Sequence, residues 1–105
     1  MPNLYINIKQ GVCFKRLTVP VLKIIETTIS TWAFHDLPAP TLTSANDSKH
    51  MKDSLHYKDM AIDLRTKNLT TEQLSRARRT LEDALGASFD VVVEPTHLHI
   101  EHDPK

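Results

Sequence analysis

The segment from His97 to Glu101 alternates polar and apolar side chains with a strict period of two. Only an extended strand separates alternate side chains onto opposite faces, so the segment predicts a β-strand with Leu98 and Ile100 on one face. His97, His99 and Glu101 share the other face. The predicted strand therefore brings two imidazoles and a carboxylate to one surface of a sheet.

Four other segments predict strands, because they alternate or are rich in β-branched residues. They span residues 4–8, 41–44, 60–65 and 89–94. In the third, Asp63 falls between the apolar residues Ile62 and Leu64, so its side chain is directed away from the apolar face. Together with two predicted helices, these strands place the chain in the α+β class.

The first helix is predicted to begin near Pro20, which has no N–H to leave unsatisfied in a first turn. Its apolar face would consist of Leu22, Ile25, Ile29 and Trp32. The β-branched residues between Ile24 and Ile29 leave a strand open for part of this segment. Pro38 and Pro40 must end whatever precedes them, because each removes a backbone donor and biases its predecessor away from the α conformation.

The second helix is predicted over Thr71 to Leu85. Thr70 and Gln73 have the spacing of a capping box, and Gly86 can end the helix in a left-handed conformation. The apolar face would consist of Leu74, Ala77, Leu81, Ala84 and Leu85.

Length and composition favour one domain over residues 1–105. The 13 basic and 13 acidic side chains balance, so no net field attracts nucleic acid or an anionic membrane surface. Cys13 is the only cysteine, which excludes an internal disulfide and a cluster of thiolate ligands. No segment has the features of a signal peptide or a membrane span, so we expect the protein in the cytoplasm of the cell that makes it.

His56, Asp63, Glu94, His97 and His99 together offer the side chains of a zinc hydrolase. Zinc held by three protein ligands keeps a fourth position open for water, and a carboxylate that is not a ligand can take that water's proton. Because thiolates are lacking, a metal site in this chain must consist of His and carboxylate ligands, which suits zinc.

Two motifs in this region resemble those of a known family. The segment from Ser54 to Leu64 reads Ser-x-His-x-x-Asp-x-Ala-x-Asp-Leu, similar to the Ser-x-His-x-x-Gly-x-Ala-x-Asp motif of the D-alanyl-D-alanine metallopeptidases. The segment from Glu94 to His97 resembles the Glu-Pro-Trp-His motif of the same family. The resemblance extends from about Thr41 to the end of the chain. Phage L-alanyl-D-glutamate endopeptidases and the zinc-containing domain of hedgehog signalling proteins share this architecture.

The resemblance implies a small antiparallel sheet flanked by helices, and a zinc metallopeptidase that cleaves peptidoglycan stem peptides. It assigns His56, Asp63 and His97 as zinc ligands and Glu94 as the general base. His99 would then stabilise the oxyanion on the scissile carbonyl. The opposite assignment, with His99 as third ligand, stays open because hedgehog-like members use the second His of a His-x-His pair as ligand. The Glu-x-x-His spacing favours His97, because it links this histidine to the general base.

Two departures from the family pattern bear on the substrate. Asp59 stands where the family has glycine, and residues 43–47 lack the arginine with which the carboxypeptidases bind substrate. Arg65 or Lys49 could replace that arginine, although the sequence locates neither. Endopeptidase cleavage inside a stem peptide needs no such cation, so the missing arginine favours endopeptidase action, although carboxypeptidase action stays open.

Two other functions are compatible with these residues. A non-catalytic zinc module would use the same ligands for stability or partner binding, and an interaction protein would carry the histidines without a metal. The leading hypothesis remains a monomeric phage or prophage enzyme that acts on the cell wall after release. Its partner is a peptidoglycan peptide, with no nucleic acid and no membrane.

Overall fold

The structure is a computed structural model that describes residues 3–45 and 60–104. The elements in chain order are β1 (Asn7–Ile8), α1 (Val19–Phe34), β2 (Thr41–Ser44), β3 (Ala61–Arg65), α2 (Thr71–Leu85), β4 (Phe89–Val93) and β5 (His97–His102). Two helices flank one small sheet, so the predicted α+β class is confirmed. Within the described ranges, neither helix has the length and apolar character that a membrane crossing requires.

The segment that the sequence left open between helix and strand is helical. Pro20 lies in the first turn of α1, and the hydroxyl of Thr18 accepts a hydrogen bond of 3.4 Å from the N–H of Val21. At the other end, Asp36 has a φ of 55°, and the N–H of Leu37 donates to the carbonyl of Trp32 at 2.9 Å. This is the pattern of a Schellman motif, which ends the helix before the prolines.

The buried face of α1 differs by one position from the predicted face. Its buried residues are Val21, Ile24, Thr28, Thr31 and Trp32. Leu22, assigned to the core by the sequence, is 47% exposed, and only Trp32 belongs to both faces. Val21 and Leu22 are adjacent apolar residues, as are Ile24 and Ile25, so helical periodicity alone fits either face equally well.

α2 has the predicted bounds and the predicted capping box. The hydroxyl of Thr70 accepts from the N–H of Gln73 at 3.0 Å, and the side chain of Gln73 accepts from the N–H of Thr70 at 2.9 Å. Ala77, Leu81 and Leu85 are buried, whereas Ala84 is exposed. Gly86 has a φ of 88° but a ψ of −175°, so it does not adopt the left-handed helical conformation that the sequence predicted.

The five strands form one mixed sheet in the order β1-β2-β3-β5-β4. β1 pairs parallel to β2, and the other neighbours are antiparallel. The prediction of an antiparallel sheet is therefore wrong at this edge, because α1 returns the chain so that β2 runs in the direction of β1. The predicted first strand is also shorter than expected: only Asn7–Ile8 pairs, and Leu4 and Tyr5 are exposed.

Both helices pack on the same face of the sheet, where one continuous apolar cluster joins them. From the sheet it contains Leu42, Ile62, Leu64, Val91, Leu98 and Ile100, and from the helices Val21, Ile24, Trp32, Ala77, Leu81 and Leu85. Because strand side chains alternate, the residues between these core positions point to the opposite face. No helix of the described ranges covers that opposite face, which we call the open face.

Candidate functional site

The open face carries the polar positions of two neighbouring strands. β3 contributes Asp63 and Arg65, and β5 contributes His97, His99 and Glu101. In the antiparallel β3–β5 ladder, Asp63 lies directly opposite His99 and Arg65 directly opposite His97. The period-two pattern of the sequence predicted the face of each residue, and the strand register adds which of them are neighbours.

Asp63 lies at the centre of this side-chain cluster. One carboxylate oxygen, Oδ1, lies 2.9 Å from Nδ1 of His99, and the other, Oδ2, lies 3.7 Å from Nε2 of His97. The first distance is that of a hydrogen bond, and the second is that of an ion pair when His97 is protonated. The Asp63 side chain is only 13% exposed. Two of the residues that the sequence singled out, His97 and His99, thus lie within contact distance of the Asp63 carboxylate.

Both ring nitrogens of His99 face carboxylates. Nδ1 faces Asp63, and Nε2 lies 2.6 Å from Oε1 of Glu101. A carboxylate accepts hydrogen bonds, so His99 satisfies both neighbours only as the doubly protonated imidazolium. Burial by itself lowers the pKa of His99, but the hydrogen bonds and negative charges of Asp63 and Glu101 outweigh burial and raise that pKa above its ordinary 6.5.

Glu94 closes the hairpin between β4 and β5. Its N–H donates to the carbonyl of His97 at 2.9 Å, so Pro95 and Thr96 form the turn. This contact continues the ladder in which Val93 lies opposite Leu98. Alternation along β4 and β5 therefore places Glu94 beside His97 on the open face. The predicted general base is half-buried and adjacent in register to the predicted third ligand.

His56, the remaining predicted ligand, lies outside the described residues, as do Lys49 and Asp59. Asp63 faces each histidine separately, and the donor atoms of Asp63, His97 and His99 do not all lie within 4.8 Å of one another, so these three residues do not by themselves enclose a metal site. Glu101 has the position of a residue that orients a ligand histidine. A histidine that binds a metal through one nitrogen usually donates its other N–H to a carboxylate, and Glu101 accepts from Nε2 of His99.

A second group of carboxylates lies at the other end of the open face. Donor atoms of Asp90, Glu101 and Asp103 all lie within 4.8 Å of one another, the one such trio of His, Cys or carboxylate residues in the described part of the chain. Three carboxylates suit calcium, magnesium or manganese better than zinc. Exposed acidic groups of this kind are common without any metal, so we assign no role to this trio.

A basic cleft adjoins the cluster on the opposite side from these carboxylates. Its volume is about 310 Å³, and it is lined by Lys9, Thr43, Arg65, Lys67, Thr96 and His97. Sequence reasoning named Arg65 as a possible replacement for the missing arginine but did not identify Lys9 or Lys67. The period of two that places Asp63 on the open face also places Arg65 there, whereas Lys9 reaches the cleft through the parallel pairing of β1 with β2.

The sequence of this chain matches no protein-family model, and none of the curated proteins with which it was compared matches it.

Proposed function

We propose that this chain is a zinc metallopeptidase that hydrolyses the stem peptides of bacterial peptidoglycan. The observation that carries the proposal is the position of Asp63, whose two carboxylate oxygens face His97 and His99. Glu94 lies opposite His97 in the neighbouring hairpin. The motifs from Ser54 to Leu64 and from Glu94 to His97 add support, because they resemble those of the D-alanyl-D-alanine metallopeptidases.

Zinc would be held by His56, Asp63 and one histidine of the pair on β5. When bound, it polarises water and the scissile carbonyl as a Lewis acid. His97 is the favoured third ligand because it neighbours Glu94, and His99 is the alternative because its Nδ1 already faces Asp63 at hydrogen-bond distance. Whichever histidine is not a ligand would donate a hydrogen bond to the oxyanion that develops on the scissile carbonyl.

Glu94 accepts the proton of the attacking water and delivers it to the leaving amine. A half-buried carboxylate at the hairpin suits this task, because the turn fixes its backbone while its side chain remains accessible to substrate. Glu101 holds His99 in one orientation through the 2.6 Å contact to Nε2, so the imidazole is aligned before substrate arrives. In this scheme Glu94 and the non-ligand histidine are catalytic residues, and Glu101 is a positioning residue.

The test compares Glu94→Gln with Glu26→Gln, a matched substitution on the exposed surface of α1. Purified peptidoglycan is digested with each protein, and the new amino and carboxyl ends are assigned by mass spectrometry. We expect Glu94→Gln to bind stoichiometric zinc by elemental analysis and to lose at least about a hundredfold in hydrolysis. Glu26→Gln should match the unsubstituted chain.

Three outcomes would overturn the proposed chemistry. Equal hydrolysis by Glu94→Gln and the unsubstituted chain would show that Glu94 is not the base. Stoichiometric zinc without hydrolysis in either protein would favour a non-catalytic zinc module instead. A chain that retains no zinc after mild dialysis would contradict both assignments, and the mass-spectrometric assignment of new ends would distinguish endopeptidase from carboxypeptidase action.

A further inference from the structure

A pocket with both polar and apolar walls lies at the corner where α1 begins and α2 ends, on the face of the sheet that the helices cover. Its volume is about 350 Å³, and we call it the corner pocket. Its apolar walls include Val19, Leu85 and Phe89, and its polar walls include Lys23, Ser88 and His102. None of these six residues belongs to the Asp63 cluster or to the basic cleft.

An aromatic ring contacts two polar side chains in the corner pocket. Phe89 lies directly opposite His102 in the β4–β5 ladder, and the centroids of their rings are 4.9 Å apart. Nζ of Lys23 lies 5.3 Å from the centroid of the Phe89 ring. Because a cation–π contact at an exposed position is weak, the ammonium group of Lys23 remains available to a stronger partner.

The hydrogen-bond donors of the corner pocket have no acceptors in the described part of the chain. Neither Lys23 nor His102 forms an ion pair or a side-chain hydrogen bond with a residue of the ranges 3–45 and 60–104. The N–H groups of Ala87 and Ser88, two further residues of the pocket wall, donate to no acceptor in these ranges either. An ammonium group, an imidazole and two backbone N–H groups therefore line one cavity with their hydrogen-bonding capacity unused.

Carboxylates at this end of the sheet are directed away from the corner pocket. Asp90 and Glu101, which belong to the carboxylate trio, alternate with Phe89 and His102 along β4 and β5, so the sheet lies between the trio and the pocket. Glu26, the acidic residue of α1, lines a different pocket between the two helices. The corner pocket thus has positive charge in its walls and no carboxylate among its described lining residues.

We propose that the corner pocket binds a phosphate monoester that carries an apolar organic group. The phosphate oxygens accept hydrogen bonds from Lys23, His102 and the N–H groups of Ala87 and Ser88. The organic group packs against the ring of Phe89, where apolar surface is removed from water.

The number and kind of donors favour a phosphate over a carboxylate. A phosphate monoester carries about two negative charges near pH 7 and has three strong acceptor oxygens. A carboxylate is planar and carries one charge, and its best protein partner is the planar fork of an arginine, which the described walls of this pocket lack. Lysine binds phosphate as a point charge, so Lys23 suits the phosphate.

The experiment uses phenyl phosphate, inorganic phosphate, benzoate and benzyl alcohol as probes. Each is titrated into the full chain in the presence of EDTA, so that no probe binds through a metal. Binding is followed by the backbone amide NMR shifts of Lys23, Ser88 and His102. We expect phenyl phosphate to bind at least about tenfold more tightly than each of the other three probes. Lys23→Gln should weaken the binding of phenyl phosphate about tenfold and leave that of benzyl alcohol unchanged.

The matched control is Lys67→Gln in the basic cleft, which should leave the binding of phenyl phosphate at the corner pocket unchanged. The proposal would be overturned if inorganic phosphate, benzoate or benzyl alcohol bound there as tightly as phenyl phosphate does. It would also be overturned if no probe shifted these amides, or if Lys23→Gln with a native NMR spectrum bound phenyl phosphate undiminished. None of these readouts requires zinc or hydrolysis, so the result is independent of the proposed peptidase activity.

Discussion

Replacing Asp63 by Asn tests the side-chain cluster with little change of shape. Asparagine keeps an oxygen that can accept from His99, but it removes the negative charge that both imidazoles of the cluster face. The side chains of Asp63 and His99 are 13% and 18% exposed, so water screens their interaction only in part. The substitution therefore isolates the electrostatic contribution of one carboxylate.

The magnitude depends on the protonation of His99. A hydrogen bond that involves a charged group contributes about 1.5–3 kcal/mol, and a neutral one contributes about 0.5–1.5 kcal/mol. Burial lowers the pKa of His99, but Asp63 and Glu101 raise it above 6.5. The charged interaction between Asp63 and His99 is therefore fully present below pH 6.5, and it is lost as the pH rises through the raised pKa of the folded state. For Asp63→Asn we expect the free energy of unfolding to fall by about 2 kcal/mol near pH 5.5 and by about 1 kcal/mol near pH 9.

The assay is urea unfolding in the presence of EDTA, which removes any contribution from a bound metal. Asp83→Asn, an exposed substitution on α2, is the control and should change stability by less than about 0.5 kcal/mol at either pH. A loss of stability for Asp63→Asn that is equal at the two pH values, or larger at the higher one, would refute the charged interaction between Asp63 and His99.

Three further substitutions give expectations of different kinds. Glu101→Gln weakens the contact that orients His99, so with His97 as the third ligand it should slow hydrolysis about 10- to 100-fold at unchanged zinc affinity. A loss of zinc affinity in competition with a chromophoric chelator would identify His99 as the ligand instead, and unchanged hydrolysis would contradict the positioning role. Leu98→Ala removes a fully buried side chain from the centre of the sheet and should lower the free energy of unfolding by about 2–5 kcal/mol in urea; a loss below about 1 kcal/mol would contradict its burial. Thr28→Val should raise the free energy of unfolding by about 1 kcal/mol, because the buried hydroxyl of Thr28 has no hydrogen-bond partner among the described residues. A clear decrease in the free energy of unfolding would show that this hydroxyl does form a hydrogen bond.

Local patterns in the sequence predicted those parts of the fold that depend on neighbours along the chain. The capping residues Thr70 and Gln73 marked the start of α2, and the alternation around Asp63 and His99 identified the polar face of two strands. Each of these features is a contact or a direction within one element. The sequence therefore predicted that His97, His99 and Glu101 share one strand face and that Asp63 points away from the apolar face of another strand, without any knowledge of the tertiary structure.

Features that depend on pairing between distant segments could not be predicted in this way. The parallel pairing of β1 with β2 brings Lys9 to the cleft, although nothing near Lys9 in sequence indicates a site. The contact between Asp63 and His99 joins residues 36 positions apart, and its register depends on how the two strands align in the sheet. For α1, adjacent apolar residues fitted two helical faces, and packing against the sheet selected the one with Val21 and Ile24.

The most direct test is a crystal structure of the zinc-loaded chain, with the metal located by anomalous scattering at the zinc edge. We expect one strong peak about 2.0–2.2 Å from a carboxylate oxygen of Asp63 and from a ring nitrogen of His97 or His99, with His56 as a further ligand. A peak among Asp90, Glu101 and Asp103 instead, or no peak within bonding distance of Asp63, would contradict the proposed zinc site.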